Sequence, residues 1–235
     1  MSDHRNTHDT YLDNHYIHRS NWLRAAVLGA NDGILSTASI AIGVASAQAD
    51  RPTIAVATLA GMVAGALSMA AGEYVSVSSQ TDIEQADIAR EKQELIDMPE
   101  LELQRLADIY RRRGLSEATA QQVALELTAH DALGAHVRDE LGITEQSQAN
   151  PLQAALASGL AFTGGGLLPL TVVGFWPFAP MSYALYGFAM LFLVGLGALA
   201  AYTGGSSLWK AIGRITLWGT LAMGVTALVG HTFGV

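Results

Sequence analysis

The sequence predicts an all-α membrane protein with five transmembrane helices and a helical cytosolic insert between the second and third. Three observations carry this. Half of the 235 residues are apolar and only 14% are charged, against roughly 25% in a soluble domain. The charges are segregated: 15 of 21 acidic residues lie between Asp82 and Glu145, and from Gln146 onward there is none. Five apolar stretches approach or exceed the about 20 residues that a helix needs to cross the hydrocarbon.

The elements follow in order. Residues 1–22 form a polar tail carrying His4, His8, His15 and His18. It reads as disordered, with scattered histidines, rather than as a metal-gathering arm. It lacks an apolar core, so no cleavable signal peptide is expected. The spans are placed at 24–47, 54–79, 152–174, 180–203 and 211–232. The organisation is thus 23–79 for the first two helices, 80–150 for the insert and 151–235 for the last three. Trp22, Trp176 and Trp209 fall near span ends, as interfacial aromatics do.

Orientation follows from the basic residues. With the N-terminus inside, every Lys and Arg except Arg51 lies on the cytosolic side, a strong positive-inside signal. The insert is then cytosolic and the C-terminus external.

The insert reads as helices. Residues 82–96 continue the second span. Pro99 opens a helix carrying Leu103, Leu106, Ile109 and Tyr110, and Gly114 closes it. Ser116 caps a third helix with Val123 and Leu127. A fourth carries Leu133, Val137 and Leu141 and ends at Gly142. About 70 residues make a small core, which points to self-association or bound metal as a source of stability.

Composition removes several functions. There is no cysteine, so disulfides, thiolate zinc sites and iron–sulfur clusters are excluded. Arg111–Arg113 end a helical segment and complement its dipole, so no nucleic-acid partner is expected.

Two carboxylates fall within the spans, Asp32 and Glu73. A charge in hydrocarbon costs at least ~2.5–3.5 kcal/mol, so each is a functional candidate by default. Asp32 lies about a third of the way into the first span, with Ser36 and Ser39 near its face. Glu73 is closer to the cytosolic end and reads as a second path candidate, the alternative being an interfacial anchor. Met62, Met69 and Glu73 are spaced seven and four apart and share a face. Methionine in an apolar helix is ordinarily packing. Beside a carboxylate, a thioether suits a borderline ion such as Fe²⁺ better than Mg²⁺ or Ca²⁺. Gly29-x-x-x-Gly33 and Gly61-x-x-x-Gly65 allow close helix approach, and fit the first two helices packing around a path. Gly164–Gly166 with Pro169 predicts a break or kink in the third span.

In the insert, Glu84, Asp87, Glu91 and Glu94 are spaced 3, 4 and 3 on one helical face. Like charges at this spacing repel. The face is either simply solvated or relieved by divalent cations. Glu102 follows on the next helix, and His136 and Glu140 are one turn apart on the fourth.

Three stretches resemble the vacuolar iron transporter family: GANDGILSTASIAIGVASA (29–47), GALSMAAGEYVSVSSQTDIEQADIAREKQEL (65–95) and RDELG (138–142). The resemblance covers nearly the whole chain. It implies a homodimer that moves Fe²⁺ out of the cytosol in exchange for protons, along a path lined by the first two helices. Asp32 and Met69 match path residues of that family, and Glu73 lies in its motif. Glu91, Glu94, Glu102 and Glu140 match ligand positions of its metal-binding insert. Two departures stand out. Arg105 occupies a position where a further ligand glutamate is expected, and His136 and Val137 stand where a methionine pair precedes the last glutamate.

The resulting expectation is a proton-coupled Fe²⁺ exporter that also accepts Mn²⁺. The path is Asp32, Met69, Glu73, Met62 and Ser36. The cytosolic metal ligands come from Glu84, Asp87, Glu91, Glu94, Glu102, His136 and Glu140. No prosthetic group is expected. The membrane is read as a bacterial inner membrane rather than a vacuolar one. Two rivals are a ferritin-like membrane oxidase and a metal sensor. The oxidase uses Glu-x-x-His pairs, and the nearest approach, Glu126 to His130, is one residue too long. A sensor has no need of Asp32.

Overall fold

The computed structural model describes residues 20–143, 150–177, 180–203 and 207–234. The histidine-bearing part of the tail lies outside them. The described residues form seven α-helices and no strand: α1 (Ser20–Ser46), α2 (Arg51–Asp97), α3 (Pro99–Arg112), α4 (Glu117–Asp139), α5 (Pro151–Phe175), α6 (Met181–Thr203) and α7 (Leu208–Phe233). Five of them, α1, α2, α5, α6 and α7, are long and apolar enough to cross a membrane. The chain is an all-α membrane protein. The residues divide into two compact units, one running to Glu73 and resuming at Leu152, the other Tyr74–Pro151.

In the first unit α1 is the packed centre. Ile34, Ala38, Ala41 and Ile42 are buried against Val173 of α5, Leu185, Ala189 and Leu193 of α6, and Met223 of α7. The outer faces of α2, α5 and α7 expose Leu59, Val63, Leu67, Leu156, Leu160, Leu217, Leu221 and Leu228. Patches of this size are not left to water in a monomeric soluble protein, and here they suit hydrocarbon. At the start of α2 the Asp50 carboxylate caps the helix by accepting from the Thr53 amide at 3.1 Å. Arg51 donates to the carbonyls of Val173 at 2.7 Å and Trp176 at 2.6 Å. It thereby satisfies orphan acceptors at the end of α5. Trp176 meets Phe188 edge to face at 5.5 Å.

The glycine patterns do something other than expected. A Cβ on Gly29 would come within 2.8 Å of the Ser158 carbonyl, and one on Gly33 would run into the Phe162 carbonyl. Gly165 likewise admits the backbone of Ala30. Gly65 faces the Phe162 ring, and only Gly61 faces α1, through Ile40. Both motifs therefore serve mainly the approach of α5, and Phe162 fills the place between α1 and α2 at that level. The Gly164–Gly166 run sits inside one continuous helix, with Pro169 in its interior. Gly165 and Gly166 are contact positions while Gly164 meets nothing within 4 Å, and no break in the helix is assigned there.

The second unit ends its helices where the sequence says it should. Pro99 stands at the start of α3, with Glu100 and Glu102 in its first turn and Arg111 and Arg112 in its last, the order that the helix dipole favours. Gly114 takes φ +102° and Gly142 φ +68°, left-handed values that favour glycine. Ser116 accepts from the Thr119 amide at 3.3 Å to cap α4. The expected third and fourth helices are the two halves of α4, joined at Asp131, whose φ of −160° and ψ of 91° leave the helix. Asp131 then caps the second half by accepting from the Gly134 amide at 3.0 Å. A side chain on Gly134 would strike that carboxylate. The core is small: Leu106, Ala107, Ala124 and Ala135, with Leu103, Tyr110 and Leu127 against it.

Candidate metal centre

Four side chains from three helices converge in the second unit. Glu91 comes from α2, Glu102 from the first turn of α3, His136 from the last turn of α4 and Glu140 from its C-cap. One potential ligand atom from each lies within 4.8 Å of all the others. Ligand bonds of about 2.1 Å separate donor atoms by at most about 4.2 Å, so an ion needs only a small contraction. Glu102 and His136 are fully buried and Glu91 nearly so.

The contacts are those of converging ligands rather than of a finished hydrogen-bond network. His136 Nδ1 lies 2.9 Å from Glu140 Oε2, in hydrogen-bonding geometry. The same nitrogen lies 2.9 Å from Glu91 Oε1, yet that oxygen has no hydrogen-bond partner. One ring nitrogen has one lone pair or one hydrogen and cannot serve both. Glu102 Oε2, 4.0 Å from Nδ1, is also unpartnered, as is His136 Nε2. Buried polar atoms are ordinarily paired. Three carboxylates around one imidazole are a net negative charge in a desolvated place, which needs protons or a cation. Burial, and next the charge of Glu140, push the Glu91 carboxyl above its ordinary pKa, with Glu102 and Glu94 adding to the rise and His136 opposing it.

The surroundings fix these side chains. Asp139, beside Glu140, accepts from Tyr110 at 2.9 Å and Arg113 at 2.7 Å on the α3 side. It also accepts from Arg138 at 3.1 Å. Burial alone would raise the Asp139 pKa, but the bonds from Arg113, Tyr110 and Arg138 outweigh it and hold the carboxyl low. Arg105 Nη1 contacts Glu102 Oε1 at 2.8 Å and Glu94 Oε2 at 3.2 Å. An open pocket of about 510 Å³, lined by Arg105, Ile109, Arg112, Arg113, Asp139 and Glu140, gives the cluster a route to solvent through Glu140.

Three other acids of the expected set lie outside the cluster. Glu84 accepts from Gln80 at 2.9 Å. Asp87 has Arg90 at 3.8 Å. Glu94 is held by Arg90 at 3.7 Å and by Arg105. The acidic face is thus partnered by arginines along much of its length. The i,i+3 spacing of Asp87 and Arg90 and the i,i+4 spacing of Arg90 and Glu94 signal two of these pairs in the sequence; the reach of Arg105 to Glu94 is a product of the fold.

In the first unit, Asp32 accepts from Ser36 Oγ at 2.7 Å and lies on the exposed side of α1 in the single chain. Met62 is buried. Its sulfur and the Thr37 hydroxyl both border Gly166, at 3.2 and 2.8 Å from the position of an added Cβ. Met69 and Glu73 are half-buried. Among the described residues, no hydrogen bond or ion pair joins Asp32 to Met69 or Glu73. The Thr37, Ser39 and Ser158 hydroxyls are buried without partners. The sequence marks Thr37 and Ser158 only as hydroxyls inside apolar spans.

The VIT family model matches residues 23–231. The chain belongs to the VIT family. It is 43% identical over 210 residues to a "Vacuolar iron transporter" of Acanthamoeba castellanii, covering 89% of this chain and 77% of that protein. "Vacuolar iron transporter homolog 1" of Oryza sativa is 38% identical over 220 residues, 93% of this chain and 77% of that one. The homologue of the same name from Arabidopsis thaliana is 35% identical over 212 residues, 90% and 82%. Membership places the VIT chain among metal transporters and not among enzymes.

Proposed function

We propose that this VIT-family protein is a proton-coupled exporter of divalent transition metal from the cytosol, carrying Fe²⁺ and also Mn²⁺. The observation that carries the reading is the convergence of buried Glu91, Glu102 and His136 with exposed Glu140. One imidazole among three carboxylates suits Fe²⁺ or Mn²⁺; an all-oxygen shell would favour Mg²⁺ or Ca²⁺, and thiolates a softer ion. The names of the relatives favour iron.

The insert, residues 80–150, gathers metal from the cytosol, and the spans within 23–79 and 151–235 carry it across. Asp32, Ser36, Met62, Met69 and Glu73 line the path. Protonation of Asp32 from the outer side releases the ion, and deprotonation toward the cytosol resets the carrier. Glu84, Asp87 and Glu94 serve as outer acids that raise the local cation concentration. The positive-inside count supports a cytosolic N-terminus and insert, in a bacterial inner membrane. Asp32 supports a homodimer: a carboxylate deep in a span does not face lipid, and the single chain leaves it exposed, so a second copy covers it.

The test is metal flux into sealed proteoliposomes under two pH gradients, with Fe²⁺, Mn²⁺ and Zn²⁺. Fe²⁺ uptake should depend on the gradient, and Asp32→Asn should abolish it while the protein stays folded. Full uptake by that variant would sink the mechanism.

A further inference from the structure

We infer that Arg105 is a built-in cation standing where a second divalent ion would bind, so that the insert holds a single ion per chain. The inference rests on the reading of Glu91, Glu102, His136 and Glu140 as a metal site and adds its stoichiometry.

The argument starts from how Glu102 is divided. Its Oε1 is engaged by Arg105 Nη1 at 2.8 Å, while its Oε2, fully buried and unpartnered, belongs to the four-residue cluster. Glu94 has the same allegiance as Oε1. It stands one turn after Glu91 on α2, so spacing alone would make it a ligand. Instead Arg105 Nη1 takes its Oε2 at 3.2 Å and Arg90 its Oε1 at 3.7 Å. A carboxylate with one oxygen on each of two ions is the ordinary way to join a pair of metals. Glu102 is poised to be such a bridge, with Glu94 as a terminal ligand on the far side. The guanidinium occupies that far side. It fills the space and carries positive charge, so a second divalent ion would meet both overlap and like-charge repulsion. Arginine is suited to this because it stays charged, and here its Nη1 alone reaches both carboxylates. Its side chain is 43% exposed, so shortening it leaves a solvated gap and not a core cavity.

The experiment uses the full chain in detergent with Mn²⁺ as probe, read by electron paramagnetic resonance and by bound metal per chain. The wild type should show an insert-bound ion with the six-line spectrum of an isolated Mn²⁺. Glu91→Gln with Glu140→Gln should remove it. Persistence of that signal would sink the metal-site reading itself. Arg105→Gln should bind one more Mn²⁺ per chain and give the exchange-broadened spectrum of a close pair. Adding Glu94→Gln to that variant should return it to the single-ion spectrum. A coupled pair in the wild type overturns the inference without touching the site. So does an unchanged single ion in Arg105→Gln, or a pair that survives loss of Glu94.

Discussion

His136 Nδ1 and Glu91 Oε1 stand 2.9 Å apart, on α4 and α2, both buried, in a geometry that leaves the oxygen without a hydrogen bond. The strain lies with the carboxylates around this pair: Glu140, Glu102 and Glu94 repel the Glu91 charge, and a proton or a cation among them relieves it. Glu91→Gln should therefore have two opposite effects. It removes a buried negative charge and should raise the melting temperature of the metal-free protein. It also removes a ligand, and should shrink the rise in melting temperature on adding Mn²⁺, with a fall in affinity of at least about 10–100-fold. Thermal melts with and without metal read both.

Metal affinity should fall as the medium becomes acidic, because ligands must be deprotonated to bind. The Glu91 pKa is raised by folding. Its contribution to metal-free stability is present below the ordinary glutamate range near about 4.3 and is lost as pH rises through the raised value. Metal-free protein should thus lose this contribution as pH rises through the raised value, where added metal stabilises most. Melting temperature against pH, measured with chelator and with Mn²⁺, should show two curves diverging upward in pH. Parallel curves would contradict the shift.

The Asp139 pKa is lowered by folding, against the pull of burial, through Arg113, Tyr110 and Arg138. The sign is the reverse of Glu91. Its contribution is full above the ordinary aspartate range near about 3.9 and is lost as pH falls through the lowered value. Asp139→Asn should cost about 1–3 kcal/mol at neutral pH and flatten the acid limb of the unfolding curve. Metal affinity should drop as well, because Asp139 steadies the turn that carries Glu140.

Glycines inside the spans should divide by what they face. Gly33→Ala drives a methyl into the Phe162 carbonyl and should destabilise by about 1–3 kcal/mol, the usual cost of overpacking. Gly164→Ala meets nothing within 4 Å. It should be neutral or gain up to about 1 kcal/mol of helix propensity. Melts of the two variants in one detergent give the comparison.

The proposed path offers a test of the close packing around α5. Met62 borders Gly166 together with Thr37. Gly166→Ala should lower Fe²⁺ flux more than it lowers thermal stability if that junction lines the path. Equal losses would make it ordinary packing.

By itself the sequence determined the fold class, the five apolar helices and the punctuation of the insert. Those signals are local. Pro99 cannot continue a preceding helix, Ser116 supplies a capping oxygen, and Gly114 and Gly142 take backbone angles that favour glycine. Apolar length and segregated charge need no partner to be read. Helical spacing marked Glu91 on its acidic face and paired His136 with Glu140, while Glu102 was marked by the resemblance of the insert to the family. Only the tertiary structure decided which acids meet. Spacing puts Glu84, Asp87, Glu91 and Glu94 on one face, but what that face touches depends on how α3 and α4 fold back through Leu106, Ala124 and Ala135. Packing selected Glu91, gave Glu94 to Arg105, and turned the Gly29 and Gly33 face toward α5. A period of 3.6 residues fixes a direction from the helix axis; the neighbour found there is a property of the folded chain.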